Sequence, residues 1–151
     1  MRRITTLLLR LALGLIFLYA AYTKLRQPWL VFALSIDSYQ MLPPWAVFTV
    51  ARSLPWIELI LGVLLVTGFW IRFAAPASAV MLAAFYAAML RAYFSGAGID
   101  CGCFGVGEAV SPTTLARDGA LLVCSIALTV LVFKRKPRWG NSDLLSSIRA
   151  A

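Results

Sequence analysis

Cys101 and Cys103 stand one residue apart in the stretch GIDCGCFGVGE, residues 98–108, with Gly102 between them. A tight turn through glycine can hold both sulfurs on one side. A disulfide across a single residue closes a small, strained ring, and strain makes it easier to reduce. Such a pair suits exchange: a partner thiolate attacks one sulfur, a mixed disulfide forms, and the second cysteine resolves it. Three other chemistries stay open for the same residues: a fixed disulfide within the loop, a soft-metal site for Cu(I) or zinc, and two inert thiols. The chain has no histidine. A metal site would therefore need Cys124, a carboxylate or a second chain, and none is expected. Cys124, near the middle of a long apolar stretch, reads as a small buried hydrophobe.

A second group of residues carries charge into apolar surroundings. Arg52, Glu58, Arg91, Arg117 and Asp118 all fall in the halves of the second, third and fourth long apolar stretches expected to face outward. Ionisable side chains inside a membrane are rare and mostly face the bundle interior or a wet cavity. Glu58 follows Pro55 in SLPWIELILG and is expected about a turn and a half inside the boundary of its span. Pro55 frees a backbone carbonyl and is expected to kink the helix. Three arginines and two carboxylates come close to neutralising one another, so a polar cluster is expected under the loop. Arginines there would favour thiolate, the attacking species. The plainer account is a set of interhelical salt bridges and snorkelling arginines. The sharper one is a site that binds a head group or shuttles a proton.

The elements that position these residues follow from composition. Of 151 residues, 62% are hydrophobic and 13% charged, against about 45–50% and ~25% in soluble domains. Four stretches are long enough to cross a bilayer at ~20 residues per span: Ile4–Thr23, Val47–Trp70, Phe73–Phe94 and Thr114–Phe133. The fold expected is all-α, a four-helix integral membrane bundle. Residues 1–136 form the membrane domain and 137–151 a cytoplasmic C-terminal tail. The opening MRRITTLLLRLALG also has signal-peptide character, but Arg10 interrupts its apolar run, and an uncleaved first span is expected.

Basic residues set the orientation. Arg2 and Arg3 precede the first span, Arg72 fills the short turn between the second and third, and Lys134, Arg135, Lys136 and Arg138 follow the fourth. Both termini are therefore expected in the cytoplasm, with Lys24–Ala46 and Ser95–Thr113 outside. Within the first outer loop, Trp29, Phe32, Ala33, Ile36 and Tyr39 or Gln40 recur at helical spacing, bounded by Pro28 and Pro43-Pro44. They predict a short extracytoplasmic amphipathic helix on the outer surface, with an ordinary packed connector as the alternative. The net charge of +8 belongs to lipid-facing cytoplasmic loops. No basic tract interleaves with aromatics, so no nucleic-acid partner is expected.

The run DCGCFG at 100–105 resembles the signature loop of MauE-type membrane proteins, linked to methylamine utilisation. RLALGLIFLYAAYTKL (10–25), YQMLPP (39–44) and PWIELILGVLLVTG (55–68) resemble the related DoxX family. The likeness runs from about residue 4 to 133. It implies a four-helix membrane bundle associated with redox proteins, assisting disulfide formation in an extracytoplasmic subunit beside a thioredoxin-like partner. Cys101 and Cys103 match the motif cysteines, and Glu58 the glutamate of the Pro-Trp-x-Glu run.

Together these readings lead to a redox-associated protein of the bacterial inner membrane, exchanging disulfides with an extracytoplasmic partner through Cys101 and Cys103. No cofactor motif is evident. A quinone near the charged cluster, or a second thioredoxin-like protein, is the electron partner that analogy suggests. The alternative is a non-catalytic anchor or accessory subunit of a larger membrane complex, with a structural or inert cysteine pair.

Overall fold

A computed structural model of the chain describes residues 2–95 and 110–134. Among these residues there are five helices: α1 (Arg2–Leu25), α2 (Trp29–Asp37), α3 (Pro44–Thr67), α4 (Ile71–Phe94) and α5 (Pro112–Phe133). All but α2 are long and apolar enough to cross a membrane. The expected tail and the loop bearing Cys101 and Cys103 lie outside the described residues.

The spans sit where the hydrophobic runs placed them, and their ends differ for local reasons. α1 runs on through Lys24 to Leu25, so Lys24 belongs to a helix and not to the outer loop. α3 starts at Pro44, where a missing N–H costs nothing. Gly68 ends it at φ +76°, a left-handed conformation that glycine adopts without strain. The turn between α3 and α4 is consequently Gly68–Phe69–Trp70, and Arg72 sits in the first turn of α4 rather than in the turn. Phe69 stacks on Trp70, which meets Phe73 edge-on. All three rings are exposed, as in the aromatic belts of membrane interfaces.

Two helix pairs make the bundle, α1 against α3 and α4 against α5. Leu13, Phe17, Leu61, Leu65, Ala74, Ala75, Leu128 and Val132 join them in one core. Cys124 packs against that core as a free, half-buried thiol. Ser78 of α4 and Ser125 of α5, both fully buried, share a hydrogen bond of 2.9 Å between their hydroxyls. Such bonds join helices where no water can compete. The predicted outer helix is α2. It buries Phe32 and Ala33 against Val47 and Ala51 in the first turns of α3, while Leu30 and Leu34 point outward exposed.

Candidate functional site

On α1, the buried residues Leu13, Phe17, the pair Ala20 and Ala21, and Lys24 recur three or four positions apart, the stripe a helix turns toward its neighbours. Helical side chains lean toward the N-terminus, so the stem of Lys24 runs back into the bundle instead of out of it. Its Nζ donates to both oxygens of Glu58, at 2.7 Å to Oε1 and 2.9 Å to Oε2. Both residues are buried, Lys24 at 4% and Glu58 at 3% exposure. The ammonium also lies 5.4 Å from the ring centre of Phe32 and 5.9 Å from that of Phe85. Rings at that distance attract a cation. A charge pair held this way meets the condition for tolerating burial, because each ion is paired and hydrogen-bonded.

Glu58 lies fourteen residues from the start of α3, yet it borders the same cavity as Ala20 of α1. Ala20 is five residues short of Leu25, so Glu58 sits about 8 Å below the end of α1 at 1.5 Å per residue. Counted along its own helix, Glu58 lies about 21 Å from the start of α3, deeper than the turn and a half expected from sequence. α3 begins three residues before the predicted boundary, which adds about 4.5 Å of that depth, and its first turns pack on α2. Pro55 is buried within α3, which stays helical through it.

The second carboxylate comes from α5. Asp118 is buried and accepts from Nε of the adjacent, half-buried Arg117 at 3.0 Å. Glu58, Asp118 and Tyr86 border a common cavity of ≈ 40 Å³, otherwise lined by apolar side chains including Phe17, Leu82 and Leu121. That volume has room for a water, which would find polar partners on its carboxylate side.

The expected cluster is thus divided. Glu58, Arg117 and Asp118 gather in or beside the interior, whereas Arg52 and Arg91 are exposed. The guanidinium of Arg52 covers the ring of Trp29 at 5.7 Å. Lys24 takes the place that the arginines were expected to fill opposite Glu58. Its stripe position, one turn beyond Ala20 and Ala21, was the available signal. Cys101 and Cys103 lie outside the described residues, between Ser95 at the end of α4 and Val110 before α5.

Four long apolar helices enclosing a buried lysine–glutamate pair define a polytopic helical membrane protein. The chain belongs to the MauE family, described as methylamine utilisation protein MauE, whose model matches residues 2–132. The match takes in every helix start, the ion pair and both loop cysteines. No curated protein and no solved structure matches the chain.

Proposed function

We propose that this protein exchanges thiol and disulfide equivalents with an extracytoplasmic, thioredoxin-like or other redox partner through Cys101 and Cys103. It does so from the bacterial inner membrane, with both termini cytoplasmic and the cysteine loop outside. The observation that carries this reading is the Cys-Gly-Cys run itself, in a chain of the MauE family.

The surroundings of the loop support it. α4 closes before the loop with the Ser95 amide on the Arg91 carbonyl at 3.0 Å. α5 opens after it with a capping box: the Ser111 amide donates to Thr114 Oγ1 at 2.8 Å and the Thr114 amide to Ser111 Oγ at 3.3 Å. A loop between two such ends has fixed anchor points. Arg91 precedes it by four residues and Arg117 follows Ser111 by six, and nearby cations favour thiolate. Electrons would pass between the cysteine pair and a quinone or a second thioredoxin-like protein, in the direction the potentials set.

One observation favours the alternative of an anchor or accessory subunit. Glu58 and Asp118 are each ion-paired within the chain, as structural salt bridges are. A thiol count on purified protein across a redox series separates the two. The exchanger reading expects Cys101 and Cys103 to titrate together as a two-electron couple above about −300 mV, where structural disulfides give way to labile ones. A pair that stays oxidised far below that potential makes the bridge structural. The double variant Cys101→Ser, Cys103→Ser is expected to assemble normally and to lose only exchange.

A further inference from the structure

A second, larger pocket of ≈ 320 Å³ opens between α2, α3 and α4. Its size falls within the range of small-ligand sites, about 300–1,000 Å³. Phe32 and Phe85 supply flat walls, and the lining is apolar apart from two hydroxyl side chains, Ser35 and Tyr39. Among the described residues, no charged one borders it. The residues it takes from α4 are Met81, Ala84, Phe85 and Ala88, so the pocket runs from the middle of that helix into the half leading to the cysteine loop. Ala88 is seven residues, about 10 Å, from Ser95.

Phe85 also borders the cavity that holds Glu58 and Asp118. One ring therefore separates the apolar pocket from the charged interior. The Lys24 ammonium stands 5.9 Å behind it, and 5.4 Å from Phe32, the other aromatic wall.

We propose that this pocket binds the ring of a membrane quinone. The inference rests on the exchanger reading, and chemistry selects the ligand. Oxidation of the Cys101 and Cys103 thiols forms one S–S bond and releases two electrons and two protons. The acceptor must take up both electrons and both protons, and a quinone does so in becoming a quinol; the reverse reaction balances in the same way. A quinone is uncharged and apolar, and its two carbonyls only accept hydrogen bonds. Those properties suit a pocket of this size with aromatic walls and an otherwise largely apolar lining. A phospholipid head group or a soluble disulfide, both strongly hydrated, does not match it.

The test is binding of decylubiquinone to the full chain in phospholipid nanodiscs, followed by calorimetry. Saturable binding is expected for the native chain and equally for the Cys101→Ser, Cys103→Ser variant, because the pocket contains neither cysteine. Ala88→Phe and the milder Ala84→Leu fill the pocket and are expected to weaken binding at least about tenfold. Ala87→Phe, on the exposed neighbouring position of α4 outside the pocket, is expected to bind as the native chain does. Partition without saturation, a retained phospholipid that decylubiquinone fails to displace, or full affinity in both filled variants would overturn the proposal. The two readings fail separately. Thiols that exchange with a disulfide probe while no quinone binds leave the exchanger standing and remove the pocket. Saturable, pocket-dependent binding with thiols that never titrate keeps the pocket and removes the exchanger.

Discussion

Lys24 and Glu58 are the residues whose exchange for neutral ones is most informative, because each is buried against the other. Lys24→Met leaves the Glu58 carboxylate in an apolar interior without its cation, and breaking a buried pair from one side costs about 3–5 kcal/mol. The loss is expected in detergent unfolding of the purified protein. Replacing both, as Lys24→Met with Glu58→Leu, removes the orphaned charge together with the pair. It is expected to recover most of the stability, since well-packed apolar residues can replace a buried ion pair at little cost. The coupling energy from the four proteins is the quantity to measure. A coupling near zero would mean that each group finds adequate partners without the other. The pair was only half legible in the sequence. Glu58 stood out as a carboxylate in an apolar run. Lys24 looked like the first polar residue after a span, although its spacing from Phe17, Ala20 and Ala21 continues the stripe that the fold buries.

Among the helices, the closest approach is between α1 and α3, and glycine makes it. A Cβ on Gly62 would stand 2.8 Å from Leu18 Cγ and 3.0 Å from the Leu18 backbone nitrogen. One on Gly14 would stand 2.6 Å from Val66 Cγ2 and 3.1 Å from the Gly62 carbonyl oxygen. Backbone atoms cannot rotate aside, so Gly62→Ala must push the two helices apart; overpacking of this kind costs about 1–3 kcal/mol. Gly119→Ala is the comparison. There the nearest atom is the Tyr86 hydroxyl oxygen at 3.3 Å, on a side chain that can give. Thermal unfolding is expected to show a clear loss for Gly62→Ala and a smaller one for Gly119→Ala. Because Glu58 precedes Gly62 by one turn, the first change also draws the carboxylate away from Lys24. Equal effects would place the tight contact elsewhere. The spans themselves could be read from composition, since about 20 apolar residues suffice to cross a bilayer. Which helices touch, and at which glycines, depends on a register between distant segments that one sequence does not display. Rotation about each axis was partly readable: Val47, Ala51, Pro55, Glu58, Gly62 and Leu65 form the buried stripe of α3, and Arg52 falls beside it.

Across the bundle the charge is divided very unevenly. The segments at the end bearing α2 and the cysteine loop hold five of the fourteen basic residues and five of the six acidic ones, so they are neutral in sum. Lys24 and Arg117 among them are already engaged with Glu58 and Asp118. The opposite end, with the N-terminus, the turn before Arg72 and the segment after α5, holds nine basic residues and one acidic, the whole net charge of +8. Lysine and arginine are retained on the cytoplasmic side during insertion. This distribution is the ground for the proposed orientation, with the cysteine loop outside, in the compartment where disulfides form and persist. Labelling of intact bacterial cells with a membrane-impermeant maleimide, in a Cys124→Ala background, tests the placement. After mild reduction Cys101 and Cys103 are expected to react from outside. A reporter introduced as Arg72→Cys, with both loop cysteines changed to serine, is expected to react only once the cells are opened. The inverse pattern would turn the bundle over and put the cysteine pair in a reducing cytosol. Oxidative exchange would then lack its compartment, while the buried Lys24–Glu58 pair and the α1–α3 contact, which depend on neither side, would stand unchanged.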